Sequence, residues 1–402
     1  MPYINEKDND SSRAVNRSMI LNLLYDEKLL ARNQISEKIG LTAASVTRIV
    51  NECIEARLIM EKDSTSTTAG AGRRPVPLSL NNQYYYVVGV HIGMFWIDIG
   101  LMNLTGEVIT SSRLDRPSAS QTSIKIIIQQ IKKYQNQING TILCIGITLY
   151  GQVDAEKRII LEHNALGWKN VALANHIEQE LHINTIVDTN VYSMAITEYR
   201  RRPLPNDHSL LLVNIGTTIG VGIVVNNVVI RGNQGLAGFL EDIPLGHDKD
   251  KDWLPNLLTD RSLLNQSQAE TDYQFRDIYE FIAFSKDDST LRNLLSKRAQ
   301  NVGRVLAQLA LIHDPSRIVL AGTCLDEEIP QLQWVQASYK QALSFNDREY
   351  VDIEPPENRQ NVPFTLIGAG TIAIQEALSP SLLLTKKESA NKAEAQLPLF
   401  KQ

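Results

Sequence analysis

A chain of 402 residues, 43% of them hydrophobic, is long enough for two or three domains and a large core. Its formal net charge of -5 does not advertise nucleic-acid binding, so any DNA affinity has to come from local basic clusters, doubled in a dimer. There is no run of roughly 18 apolar residues to span a membrane, the opening MPYINEKDNDSS is too polar for a secretory signal, and Cys53, Cys144 and Cys324 are too scattered for a disulfide framework or a C-x-x-C metal site, which suits a reducing cytoplasm.

Residues 1–75 carry 11 Lys/Arg against 10 Asp/Glu, a net of +1 that leaves the remainder at -6. Asn16 to Tyr25 reads as a first helix, with Ile20, Leu23 and Leu24 inward. Residues 31–58 read as two short helices joined by a tight turn at Gly40-Leu41. Ile35 and Ile39 give the first an apolar face, and Val46, Ile49, Val50, Ile54 and Leu58 give the second a stripe at helical spacing. Thr42 stands where a hydroxyl can cap the second helix. Ala44, Ser45, Thr47 and Arg48 are then left for solvent at its start, and all are short or hydrogen-bonding. A helix that enters the DNA major groove needs such a surface at its N-terminal end. An ordinary helical hairpin in a core is the other reading of this stretch.

Arg32 and Lys38 fall near the same face. Leu58-Ile59-Met60 starts a short strand, and residues 61–72 form a polar loop of small residues, so strand, loop and strand make a wing. In Gly72-Arg73-Arg74-Pro75 the glycine permits close approach and the proline keeps the chain extended. The two guanidiniums can then reach phosphates or a narrow minor groove. A solvated basic linker is the alternative.

From Tyr84 the pattern is α/β. YYYVVGVHIG, FWIDIGLMNL and GEVITSSRL are three strand-like runs, followed by a helix over Ser123 to Gln137, a strand over Thr141 to Leu149, a helix over Val171 to Leu181 and a strand over Asn184 to Asp188. The pattern restarts with LLLVNIG, IGVGIVV and NVVIRG. Val90-His91-Ile92-Gly93 has its counterpart in Val213-Asn214-Ile215-Gly216, which suggests a duplicated lobe with a cleft between the copies. Residues 265–292 read as surface helix and loop, Leu294 to Ile312 as a long amphipathic helix, Arg317 to Ala321 as a strand ending at Gly322, and Phe364 to Gly370 as a strand and glycine turn before a last helix to about Leu378. Gly216, Thr217, Thr218, Gly220 and Gly222 form a glycine turn in which converging N–H groups and hydroxyls could hold an anion; a plain hairpin turn is the alternative.

Together these features resemble the ROK family of sugar-responsive repressors and sugar kinases. Residues 11–75 are similar to the repressors' winged helix-turn-helix. Gly146-Ile-Thr-Leu-Tyr-Gly-Gln-Val-Asp154 is similar to the family's glycine-proline-glycine loop, with Tyr150 where proline is usual. The glycine turn is similar to its second phosphate motif, with Thr218 replacing a glycine, and Val319 to Gly322 to its nucleotide-side strand. The resemblance implies a two-lobed, actin-like ATPase body of ribonuclease H-like fold behind the DNA-binding domain. It divides the chain into residues 1–82, a first lobe at 83–195 joined by a helix at 371–380, a second lobe at 196–370 and a polar tail at 381–402.

The departures from the family matter more. Where the kinases carry a metal-side carboxylate, this chain has His91, and imidazole cannot supply the same hard oxygen ligand. Their catalytic base falls, eight residues before Glu198, on Asn190, with Thr189 before it; an amide cannot accept a sugar proton at neutral pH. The sugar-binding Glu falls on Phe239 and the zinc-binding His on Asp242. The segment after it, HDKDKDWLPNLLTDRSLL, has no cysteine. His247 with Asp248, Asp250 and Asp252 reads as a solvated acidic loop, and Thr259 stands near a further sugar-binding position. Asn164 keeps the family's sugar contact. On this reading the effector positions are Asn164, Thr189, Asn190, Phe239 and Asp242; no catalytic residue, metal or cofactor is assigned. The expected function is a cytoplasmic repressor of carbohydrate genes that binds a double-stranded operator as a homodimer or homotetramer, with a sugar or sugar derivative as effector and no membrane partner. A sugar kinase that kept a DNA-binding arm, and a ligand-independent regulator switched by a protein, are the alternatives.

Overall fold

The computed structural model describes residues 6–62, 75–163, 166–241, 243, 253–325, 329–344, 349–357 and 362–383. Helix α1 (Glu6–Glu27) is longer at both ends than its apolar pattern suggested; it buries Ala14, Ile20, Leu21 and Leu24. Strand β1 (Leu30–Ala31) leads into α2 (Arg32–Ile39), which stops at Gly40 with φ of 70°, a left-handed position that glycine takes without strain. Helix α3 (Ala43–Glu55) starts on Thr42, whose hydroxyl oxygen accepts the Ser45 N–H at 3.2 Å, and buries Val46, Ile49, Val50 and Cys53. Strands β2 (Ile59–Glu61) and β3 (Pro77–Leu80) pair antiparallel, Ile59 opposite Leu80, and β1 pairs with the other edge of β3.

The next sheet begins as an antiparallel meander of β4 (Tyr85–Ile92), β5 (Trp96–Asn103) and β6 (Val108–Asp115). Helix α4 (Ser120–Gln137) carries the chain to β7 (Thr141–Leu149), parallel to β4. A small sheet that the residue pattern did not signal follows, of β8 (Gln152–Asp154), β9 (Ile159–His163) and β10 (Trp168–Val171). Helix α5 (Leu173–Leu181) then leads to β11 (Asn184–Thr189), parallel to β7, so the order is β11-β7-β4-β5-β6.

The motif repeats with α6 (Asn190–Arg201), β12 (Ser209–Ile215), β13 (Ile219–Val225) and β14 (Val228–Val229). The third of these strands keeps only two residues of the expected NVVIRG. Helices α7 (Leu254–Leu258), α8 (Asp260–Glu270), α9 (Ile278–Phe284) and α10 (Ser289–His313) precede β15 (Arg317–Gly322), which is parallel to β12. Helix α11 (Gln331–Leu343) and β16 (Ile353–Glu354) complete the order β14-β13-β12-β15-β16. The last described elements are α12 (Phe364–Ala377) and α13 (Pro380–Leu383).

The expected strand and turn at Phe364 to Gly370 is therefore the first half of α12. Almost all of that helix is buried, so it carries no apolar-polar alternation to read. Its glycine is no turn either. A Cβ on Gly89 of β4 would lie 2.8 Å from the Gly370 nitrogen, and one on Gly146 of β7 would lie 2.2 Å from the Ala369 carbonyl. The glycines let helix and sheet come close.

The chain forms two compact units, one from the described residues up to Thr189 with those from 362 onward, the other from Asn190 to 357. The second unit begins with α6, which packs on its β12 and β13. In the first unit one apolar core runs without a break from Ile20, Leu24, Val46 and Ile49 through Leu78, Tyr85 and Met102 to Leu366, Ala377 and Leu383. The N-terminal helices thus share a core with the sheet instead of hanging from a linker. A second core fills the sheet's other face, around Val88, Ile127, Ile145 and Ile177. In the second unit Leu211, Val213, Val221, Val302, Leu306 and Leu320 centre the core.

Candidate nucleic-acid interface

Helix α3 has two faces with different tasks. Its inner face is tied down. Glu52 accepts hydrogen bonds from Arg13 and from Arg17, whose Nη2 lies 3.1 Å from Glu52 Oε2. Arg17 is itself buried and donates from Nη1 to the Leu383 carbonyl at 3.1 Å, while Ser18 Oγ donates to the Leu378 carbonyl at 2.6 Å. Burial by itself would raise the Glu52 pKa, but the hydrogen bonds and charges of Arg13 and Arg17 outweigh it and hold the carboxyl below its ordinary value. The N-terminal region is also fastened to the sheet. Tyr85 OH donates to the Ala56 carbonyl at 3.1 Å, Lys28 Nζ donates to the Thr105 carbonyl at 3.2 Å, and Arg57 lies 4.7 Å from the centroid of the Tyr84 ring.

The outer face offers short side chains. Thr42, Ala44, Thr47 and Arg48 are exposed and Ser45 is half-buried. The two threonine hydroxyls have local work: Thr42 Oγ1 donates to Ser45 Oγ at 2.9 Å, and Thr47 Oγ1 donates to the Ala43 carbonyl at 2.8 Å. Arg48 supplies the long cation on this exposed face. Among the described residues Arg48 has no ion-pair partner. Arg32 differs: its Nη2 donates to Glu61 Oε1 at 2.9 Å and to Asn51 Oδ1 at 3.2 Å, so a phosphate would have to compete with Glu61. Lys38 pairs with Glu27 at 2.9 Å. Asn51 was missed in the residue pattern, although it stands one helical turn beyond Thr47 and is exposed on α3. Pro75 is exposed at the entry to β3; Gly72, Arg73 and Arg74 lie outside the described residues.

The glycine turn of the second unit joins β12 to β13. The Gly216 N–H donates to the Thr218 carbonyl at 3.0 Å, and the Gly216 carbonyl accepts the Asp260 N–H at 2.9 Å. Thr217 is exposed and Thr218 half-buried. A Cβ on Gly222 would lie 2.5 Å from Ala195 Cβ, and one on Gly220 would touch Val191, so both glycines admit α6 against the sheet. The carboxylate of Asp260 stands beside the turn. Its Oδ1 accepts Arg298 Nη1 at 2.8 Å and Thr323 Oγ1 at 2.5 Å, and its Oδ2 lies 3.7 Å from where a Cβ on Gly216 would be. Burial pushes the Asp260 pKa up, and the Arg298 charge and the Thr323 hydrogen bond pull against it. Arg298 also donates to Gln331 Oε1 at 2.9 Å. The pair was legible in part: Arg298 continues the stripe of Leu291, Leu294 and Leu295 on the buried face of α10.

A depression of about 360 Å³ on the second unit is lined by Arg202, Ser316, Arg317, Asp352 and Glu354. Its charges satisfy one another. Arg202 pairs with Glu354, Asp352 with Lys340, and Arg317 donates to the carbonyls of Arg202 and Glu198.

The sequence profile of the ROK family matches residues 87–376. The chain belongs to the ROK family. The xylose repressor of Caldicellulosiruptor bescii is 25% identical over 77% of this chain and 83% of its own length. Among solved structures, a ROK family transcriptional regulator that is a homolog of the E. coli Mlc protein superposes with a TM-score of 0.75 at 22% identity, covering 93% of this chain and 98% of its own. A ROK family glucokinase from Streptomyces griseus, solved with glucose and AMPPNP, superposes with a TM-score of 0.63 at 19% identity, covering 72% of this chain and 99% of its own. The body of this ROK protein therefore has the α/β fold common to the family's regulators and kinases.

The positions singled out against the kinases can now be located. His91 is the last residue but one of β4, opposite Asp98 on β5, with Nδ1 3.3 Å from Thr148 Oγ1. Burial pushes its pKa down to about 4, with Asp98 and Thr148 pulling it up and Arg113 pushing it further down, so at neutral pH the ring is uncharged. Asp98 is taken by Arg113, at 2.7 Å and 3.1 Å. Thr189 is buried and its Oγ1 donates to the Gly151 carbonyl at 3.1 Å. Asn190 is buried as well; its Oδ1 accepts the Val191 N–H at 2.8 Å. Phe239 is half-buried beside Gly220 on the edge of β13. Asn164, Asp242 and the segment with His247, Asp248, Asp250 and Asp252 lie outside the described residues. A zinc site of the family type does not fit this chain. Its thiol ligands are missing after residue 242, and Cys53, Cys144 and Cys324 lie in apolar cores where burial raises each thiol, Cys53 to about 12.

Proposed function

We propose that this ROK protein is a sugar-responsive transcriptional repressor that has lost kinase chemistry. In this reading α2 and α3 with β2 and β3 are a winged helix-turn-helix, and α3 enters the major groove. The observation that carries it is the contrast across α3: an outer face of Thr42, Ala44, Ser45, Thr47 and Arg48 free of bulky aliphatics, and an inner face anchored by Glu52. The matched regulator covers 93% of this chain and the matched kinase only 72%, which supports giving the N-terminal region to regulation. The named role of the xylose repressor supports a sugar or sugar derivative as effector and a carbohydrate operon as target.

Loss of phosphotransfer follows from two substitutions. An uncharged His91 offers no hard oxygen to a magnesium ion. Asn190, with its oxygen already on the Val191 N–H, cannot take a proton from a sugar hydroxyl. A single α3 covers one half-site, so the protein binds a palindrome as a dimer or tetramer, in the cytoplasm. The test is footprinting of the purified protein on DNA upstream of its own and neighbouring genes. Protection of a palindromic site that survives excess nonspecific DNA is expected. Uniform, salt-sensitive retention with no protected sequence would refute the proposal.

A further inference from the structure

We propose that Asp260 acts as a built-in substitute for phosphate: the glycine turn of the second unit is an anion position that the chain fills with its own carboxylate, so the protein admits neither a nucleotide phosphate nor a phosphorylated sugar there. The inference rests on the non-kinase reading above and extends it to the class of ligand.

Three features of an anion receptor converge at Gly216. There is a buried guanidinium, Arg298, a hydroxyl donor, Thr323, and a glycine whose missing Cβ leaves room. Each is already committed. Arg298 Nη1 and Thr323 Oγ1 both donate to Asp260 Oδ1, and the Gly216 N–H is folded onto the Thr218 carbonyl. Asp260 is itself buried, and its Oδ2 lies 3.7 Å from the vacant Cβ position of Gly216. A phosphoryl group brought to the turn meets a carboxylate oxygen and finds the cation shielded behind it.

The experiment is a thermal-shift and equilibrium-dialysis titration of the full chain with inorganic phosphate and with ADP. Wild type is expected to show no saturable binding of either. Asp260→Asn keeps the shape, removes the negative charge and frees Arg298, and is expected to gain inorganic phosphate affinity by about tenfold or more. Asp260→Asn combined with Arg298→Met is expected to lose that gain, because the cation is gone. Saturable binding of phosphate or ADP by wild type overturns the proposal without any variant, so a misfolded Asp260→Asn protein leaves it exposed. Gain in the double variant equal to that in the single one also overturns it. In paired titrations with glucose and glucose 6-phosphate, and with xylose and xylose 5-phosphate, a shift confined to the phosphorylated member does the same. These readouts involve no DNA: a missing operator would sink the repressor reading and leave this one standing, and ADP binding would sink this one alone.

Discussion

Replacing Arg17 with methionine tests whether the tie between α3 and α13 holds the proposed DNA-binding face in place. The Arg17 side chain is only 3% exposed and Glu52 18%, so the pair lies largely out of water. Removing one partner of a buried pair typically costs ~3–5 kcal/mol, because the other charge is left uncompensated. Here Arg13 remains on Glu52, and Arg13 is 38% exposed, so water and a second cation soften the loss. We expect ~2–3 kcal/mol on those grounds. In a unit of this size each kcal/mol moves the midpoint by about 2–4 °C, so the first unit should melt about 5–10 °C lower. The assay is calorimetry of the full chain, whose two units can melt separately, together with operator titration. Glu52→Gln should be damaging too, and the double variant should fall short of the sum of the two, since both remove one interaction. Arg13→Met should cost under ~1 kcal/mol, as an exposed partner. An Arg17→Met protein that melts within about 1 °C of wild type, or a double variant that is strictly additive, would refute the argument.

Other outcomes follow from the same geometry. Arg48→Ala should leave the melting temperature unchanged and lower discrimination between operator and mutated half-site by ~1–3 kcal/mol, read from competition gel shifts. Thr42→Ala removes the acceptor for the Ser45 N–H and should destabilise α3 by ~1 kcal/mol, visible as faster amide exchange at its first turn. Arg73→Ala should reduce the slope of log affinity against log salt by about one without changing the preferred sequence. Acid should weaken the first unit through two groups. His91 has a folded pKa of about 4 against 6.5 in the open chain, so between those values the unfolded state binds the extra proton and stability falls as pH drops. Glu52 has a folded pKa below 4.5, so its contribution is present above that value and is lost as pH falls through the folded one. His91→Gln should flatten the stability profile between pH 6.5 and 4 and leave the lower limb in place.

The chain's own spacing determined those elements whose signal is local. The stripe of Val46, Ile49 and Val50 marks α3, Gly40 and Thr42 punctuate the turn before it, and the largely apolar run from Thr141 to Leu149 marks a strand buried in a parallel pair. In each case the identity of a residue and its neighbours within a few positions is enough to say which side faces the core. Other features were decided by contacts between distant parts of the chain. The helix at Phe364–Ala377 hid behind its glycines, because only the approach of Met102 on β5 explains why a Cβ at Gly370 is excluded. The union of Arg17 with Glu52 and Leu383, and that of Asp260 with Arg298 and Thr323, join residues tens to hundreds of positions apart. Burial makes such pairings worth several times what they would be in water, but it is a property of the packed molecule, and no window of sequence contains it.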